Sequence, residues 1–288
     1  MAVIYDDIDR FLKFVTVQKR FSENTVTAYK NDLDQLADFV SGKSIRSWSQ
    51  LNQQGLMEYI LLLRERSYAT STMARKVAAI KSFFSYLLSQ NDIDHDPTDG
   101  ITRPQVKKSA PKAISQRDVD MLLKQVQVSV TPEGKRDRAM LELLCATGLR
   151  VTELVSLDVA DVNLDVGRLR CAGKAGKERY LDFNLNVADI IGDYTRNGRT
   201  ILARSARQAA LFLNRRGDRL TRQGFWLILK DYAKKAKLST EITPHTLRHS
   251  IAVHTLNNGK MNLKELQEFL GHANLSTTQA YEKAIITD

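Results

Sequence analysis

Three of the five prolines, Pro97, Pro104 and Pro111, fall within one stretch of the 288-residue chain, HDPTDGITRPQVKKSAPKAIS at 95–115. Proline locks φ, removes an amide donor and biases its predecessor toward extended backbone, so no helix runs through this segment. On either side apolar residues recur at helical spacing; within it they show no period. A chain interrupted in this way has to bury its apolar faces separately on each side of the break. At 288 residues it is also long for a single ordinary core. The segment 96–115 therefore reads as a linker between an N-terminal domain, 1–95, and a C-terminal domain, 116–288.

The N-terminal pattern is helical throughout. Ile8, Phe11, Leu12 and Val15 stand at i, i+3, i+4 and i+7, one face of a first helix. Ser22 is the expected N-cap of a second, carrying Val26, Tyr29, Leu33, Leu36 and Phe39 inward. Leu56 to Arg64 makes a short third. Ser71 is expected to open a fourth, with Val77, Ile80, Phe84 and Leu87 facing the core. Beyond the linker, Ser115 begins a helix over 116–126, and Asp137 to Ala146 is a strongly apolar one. GRLRCAGKAGKERYLDF, 167–183, then alternates apolar and polar side chains around Lys174-Ala175-Gly176-Lys177, which predicts a β-hairpin. The remainder is expected to be helical to the C-terminus, with Gly259 and Gly271 as helix stops. The expected fold class is thus mainly α: a helical bundle, then an α-rich domain with a small antiparallel hairpin.

Charge separates the halves. Residues 1–100 carry 12 basic and 13 acidic side chains, while 101–288 carry 31 and 20. Lys and Arg concentrated in this way suit a polyanionic partner, because phosphate contacts release counterions; a solvated basic surface is the plainer alternative. No apolar run approaches the roughly 20 residues of a membrane span, and the acidic start MAVIYDDIDR is unlike a secretory signal. Cys145 and Cys171 are too few and too isolated for a disulfide framework or a zinc site, which points to a reducing, cytoplasmic setting.

Polar residues planted among apolar ones mark the chemistry. Arg150 closes LLCATGLR two residues after a glycine, where a packed helix meets a turn, and there it needs an anion: Glu153, three residues on, or a bound phosphate. In Pro244-His245-Thr246-Leu247-Arg248-His249 the proline presets a first helical turn. His245 and Arg248, at i and i+3, then share one face at the positive end of the helix, an arrangement suited to an anionic oxygen. His245 and His249 also have zinc-ligand spacing, but the motif lacks a metalloprotease Glu and places an Arg beside the pair, so no metal is expected. A third cluster, Leu270-Gly271-His272-Ala273-Asn274, is followed by Tyr281. Singly, His272 and Tyr281 read as a capping histidine and a packing aromatic.

Taken in order, these clusters resemble the tyrosine recombinases, or phage-type integrases, over essentially the whole chain, and most of all the compact Xer recombinases of prokaryotes. ATGLRVTELVSL is similar to the first arginine motif, with Arg150 in the catalytic place. GKAGKER resembles the hairpin of the catalytic lysine and places it at Lys174; Ala175 stands where the family commonly has glycine, so Lys177 is the other lysine to consider. HTLRHS resembles the H-x-x-R box, giving His245 and Arg248, and LGHANLSTTQAYEKA the terminal motif, giving His272 and the nucleophile Tyr281. The resemblance implies site-specific DNA cleavage and rejoining through a 3′-phosphotyrosyl intermediate and a Holliday junction, without cofactor or metal. It also implies double-stranded DNA and a homotetramer or heterotetramer on two sites as partners, with an accessory protein as a further possibility. In a clamp of this kind the helices from Ser22 and Ser71 would enter the major groove, with Thr25, Tyr29, Lys30, Ser71, Arg75, Lys76 and Lys81 as candidate contacts. Chromosome or plasmid dimer resolution is the expected role. The alternatives are mobile-element integration or excision, a type IB topoisomerase, and a binding protein with a vestigial site.

Overall fold

The computed structural model describes residues 2–105, 113–172, 178–238, 242–259, 261–271 and 278. The chain divides into two compact units, Met1–Lys108 and Ser109–Asp288.

In the first unit the apolar stripes become α1 (Ala2–Val17), α2 (Glu23–Gly42), α3 (Gln53–Glu65) and α4 (Thr70–Ser89). Ser22 caps α2, its side chain accepting the Thr25 amide. Ile8, Phe11, Leu12 and Val15 are all buried against Leu33, Leu36, Ile80 and Phe83. Burying such a side chain stabilises by roughly 1.5–3 kcal/mol each. Trp48, on a short 3₁₀ turn, meets Phe83 edge-on at 5.0 Å and donates from Nε1 to the Ile4 carbonyl at 3.2 Å. The fourth helix starts earlier than expected: Ala69 is its N-cap, without a side-chain bond, and Ser71 lies inside the first turn. The start of the proline-bearing segment packs onto this unit. Thr98 and Ile101 are buried, and the Asp99 and Ile101 carbonyls accept from Gln53 (2.9 Å) and Lys81 (3.0 Å).

The second unit opens with α5 (Gln116–Gln127), capped by Ser115, and α6 (Pro132–Thr147). The sequence expectation began α6 at Asp137. It starts at Pro132 because Thr131 caps the Gly134 amide and proline fits the first turn. Gly148 ends it in the left-handed region, φ 56°. Then come α7 (Val151–Ser156) and strands β1 (Val162–Asn163), β2 (Arg168–Ala172) and β3 (Glu178–Asp182). Among the described residues these form an antiparallel sheet in the order β1-β2-β3, with Cys171 opposite Arg179 and Leu169 opposite Leu181. Next, α8 (Leu185–Tyr194) runs through one π turn (Thr195–Arg199) into α9 (Thr200–Leu202).

The expectation that the rest is helical fails over 203–221. Ala210, Leu211, Phe212 and Leu213 are buried in succession, a pattern no amphipathic helix makes. Their backbone bonds go to other segments: Leu211 N–H to the Leu157 carbonyl (2.9 Å), and the Phe212 carbonyl to Leu220 N–H (2.9 Å). Helical structure resumes with α10 (Arg222–Lys235), α11 (Pro244–Asn257) and α12 (Leu263–Leu270). Buried residues run without a break from Leu247 to Val253, so α11 lies inside the unit. No helix among the described residues is long and apolar enough to cross a membrane.

Candidate active site

Two chain reversals build the site. Gly148 ends α6 and delivers Arg150 to the N-terminus of α7; Gly271, φ 61°, ends α12. A Cβ at 148 would lie 2.7 Å from the Phe269 ring, so that turn demands glycine for space as well as for φ.

Glu153 sits at the centre, its side chain 8% exposed. Its carboxylate accepts the Arg150 backbone N–H at 2.7 Å and Arg150 Nη1 at 2.9 Å. From β3, Arg179 adds a fork, Nη1 to Oε1 at 2.8 Å and Nη2 to Oε2 at 3.0 Å. Arg248, on α11, places Nη1 at 3.9 Å from Oε2. Burial alone would raise the Glu153 pKa, but the Arg179 fork, the Arg150 amide and the neighbouring cations outweigh it and hold it below the ordinary value.

Both motif arginines are also anchored by backbone carbonyls. Arg150 Nη2 donates to Gly271 at 2.7 Å, and buried Arg248 donates to Gly148 and Leu270. These carbonyls belong to the two helix ends, so the termini of α6 and α12 set the guanidinium positions. Three guanidinium groups around one carboxylate leave the site net positive, as an anionic ligand requires.

Arg150 and Arg248, predicted as a pair, thus meet at one carboxylate. His245, in the first turn of α11, is exposed, while His249 four residues on is buried. Lys174, Lys177, His272 and Tyr281 lie outside the described residues. Sequence reasoning missed Arg179. A signal existed: Arg179 alternates in phase with buried Leu181 along β3, so it is an inward arginine that needs an anion.

The candidate DNA contacts separate by placement. Ser71 is exposed, as is Lys30, which pairs with Asp34 at 3.3 Å. Lys81 is exposed but bonded to Ile101, and Thr25 shares a hydroxyl bond with Ser22 at 2.9 Å. Tyr29 is half-buried, stacked on Phe11 at 6.5 Å. Arg75 keeps 40% of its side chain exposed while bonded to Asp32 and to the Ala28 carbonyl. Lys76 is different: 2% exposed, it is bonded to Asp32 (3.0 Å) and Gln35 (2.8 Å) and lies over the Tyr68 ring. Buried Asp32 draws it between α2 and α4, so Lys76 is an internal ion-pair partner and does not face a ligand.

Known proteins match the chain in sequence and in fold. The Phage integrase family profile matches residues 112–285, and the Phage integrase N-terminal SAM-like domain profile matches 8–91. Tyrosine recombinase XerC of Herpetosiphon aurantiacus is 50% identical over 274 residues, 95% of this chain and 89% of that protein. Tyrosine recombinase XerD of Halalkalibacterium halodurans is 40% identical over 282 residues, 98% of this chain and 94% of that protein. The crystal structure of XerH site-specific recombinase bound to a palindromic difH substrate, a post-cleavage complex, shares the fold. Its TM-score is 0.76 at 20% identity, covering 97% of this chain and 92% of that one.

Proposed function

The chain belongs to the phage integrase family, the tyrosine recombinases, and from that premise we propose that it is an Xer-like site-specific recombinase of double-stranded DNA, resolving chromosome or plasmid dimers. The observation that carries this reading is the convergence of Arg150 and Arg248 on Glu153, with each guanidinium anchored from behind by helix-end carbonyls. Donors held in this way need no reorganisation when charge develops on a phosphate, which is where electrostatic catalysis gains most.

In the proposed mechanism Arg150 and Arg248 bind the non-bridging oxygens of the scissile phosphate. A tyrosine hydroxyl, with an ordinary pKa of about 10, needs help to attack at neutral pH. His245 takes the Tyr281 proton or donates to the phosphate, and His272 adds a further donor. The Tyr281 oxygen bonds to phosphorus, the bond to the 5′-oxygen breaks, and Lys174 protonates that leaving oxygen. The 3′-phosphotyrosyl bond conserves the energy for religation, so no nucleotide cofactor is consumed. A tetramer on two sites exchanges one strand pair, passes through a Holliday junction and exchanges the other. Residues 1–95 clamp the duplex and 116–288 carry the chemistry. Surface contacts on the clamp come from Thr25, Tyr29, Lys30, Ser71, Arg75 and Lys81.

The test is covalent trapping on nicked duplexes drawn from the source genome, where loss of a short 5′-hydroxyl fragment blocks religation. An SDS-resistant adduct mapped to Tyr281 at one recurrent sequence is expected, and Tyr281→Phe should abolish it while DNA binding persists. Recombination by the Phe variant would remove Tyr281 from the role; adducts at scattered sequences would indicate a relaxing enzyme instead.

A further inference from the structure

We propose that Arg179 is a positioning residue for Arg150: by taking both oxygens of the Glu153 carboxylate, it confines Arg150 to a single side-chain bond there and leaves that guanidinium available to the substrate. The inference rests on the recombinase reading above.

Arginine–carboxylate pairs frequently close into a bidentate fork, with two parallel N–H···O bonds, and Arg150, the N-cap of α7, stands three residues before Glu153. That closure would draw the Arg150 guanidinium down onto α7. Here the fork belongs to Arg179, at 2.8 and 3.0 Å, and the Arg150 side chain contributes only Nη1 to the carboxylate, beside the Arg150 backbone N–H. Its Nη2 goes instead to the Gly271 carbonyl at 2.7 Å. Of the five N–H groups a guanidinium side chain offers, the rest of Arg150 stays open among the described residues, on a side chain that is 39% exposed.

Arg179 is held for this task from the other side. The Cys171–Arg179 register of the hairpin sets its origin. A Cβ on Gly271 would lie 2.4 Å from its Nη1, so the guanidinium is wedged against the same residue that accepts from Arg150. Among the described residues its Nε is buried without a partner. A part-buried arginine with a buried, unmet Nε is a poor way to fill space; its two Nη groups on Glu153 are what the placement achieves. Among the described residues the bonds of Arg179 go to the Glu153 carboxylate, so it acts on Arg150 through Glu153.

The experiment measures single-turnover cleavage of a nicked duplex at saturating protein, alongside duplex affinity, for the wild type, Arg179→Met and Arg179→Lys. Arg179→Met is expected to slow cleavage ten- to a hundredfold with affinity changed less than twofold. Arg179→Lys should recover only part, because an ammonium is a point charge without a fork. The same substitutions in an Arg150→Lys background should add less than twofold, since the effect passes through Arg150. Cleavage at the wild-type rate by Arg179→Met overturns the proposal, as does an equal loss in both backgrounds, which would mean hairpin packing alone. Should Arg179→Met fail to fold, the Arg179→Lys comparison across the two backgrounds decides by the same criterion. A wild-type chain that forms no adduct overturns the recombinase reading and this inference with it; normal wild-type cleavage with a silent Arg179 overturns the inference alone.

Discussion

Arg248 keeps 7% of its side chain exposed, its Nη groups on the Gly148 and Leu270 carbonyls, whereas Arg150 keeps 39% in solvent. Replacing either with Ala should slow cleavage by about 3–4 kcal/mol of transition-state stabilisation, the scale of a lost oxyanion donor. Their effects on folding should differ. Arg248→Ala strands two buried carbonyls at roughly 1–3 kcal/mol each, while Arg150→Ala exposes its partners to water. Thermal melts beside cleavage rates test this: both variants inactive, and only Arg248→Ala melting markedly lower. Glu153 adds a pH signature. Burial raises its pKa, but Arg179 and the Arg150 amide hold the net value below the ordinary 4.5. A carboxylate depressed on folding stabilises fully above its unfolded pKa and loses that contribution as pH falls through the folded one. Glu153→Gln should therefore be destabilised by about 3 kcal/mol at pH 7, the scale of a broken buried pair, with the gap closing below pH 4.5. Denaturant unfolding at pH 7 and pH 3 checks it; a gap independent of pH would deny the carboxylate this role.

At the scale of elements, helix ends matter more here than helix bodies. The α6 terminus presents the Gly148 carbonyl to Arg248, and Gly148→Ala meets both a positive φ of 56° and the Phe269 ring at 2.7 Å. Left-handed backbone alone costs a non-glycine residue roughly 1–2 kcal/mol. The expected outcome is a lower melting temperature together with slower cleavage, because the displaced carbonyl releases Arg248. Wild-type cleavage by a destabilised Gly148→Ala would separate the turn from the chemistry. In the first unit, Lys76 and Asp32 tie α4 to α2. Lys76→Met should cost about 3–5 kcal/mol by leaving Asp32 short of its buried partner, and Asp32→Leu in addition should restore much of that. Urea unfolding of the single and double variants measures it.

For the whole molecule, charge divides unevenly between the two compact units. Of the charge, 15 basic against 13 acidic residues lie in 1–108 and 28 against 20 in 109–288, so most of the salt-dependent affinity for duplex DNA should reside in the second unit. A fragment spanning 109–288 should keep most of the salt dependence of non-specific duplex binding shown by the full chain, as titrations at several ionic strengths would reveal. The break in helical period at the prolines was legible in the sequence, because proline chemistry and helical period are local properties. So were the α1 face of Ile8, Phe11, Leu12 and Val15, the Ser22 and Ser115 caps, the hairpin strands and the motif arginines, since each rests on residues near one another in the chain. Segment 203–221 was not, because its backbone bonds are satisfied by Leu157, Val159 and Tyr194, which no local pattern announces. Lys76 misled for the same reason: a lysine is read as surface until a buried Asp32 from another helix claims it. By itself, then, the sequence determined which residues are available for the chemistry and in what order. Only the tertiary structure decided which oxygen each arginine holds, because a guanidinium chooses among partners within about 3 Å, and those acceptors arrive from α7 and the ends of α6 and α12 only once the chain has packed.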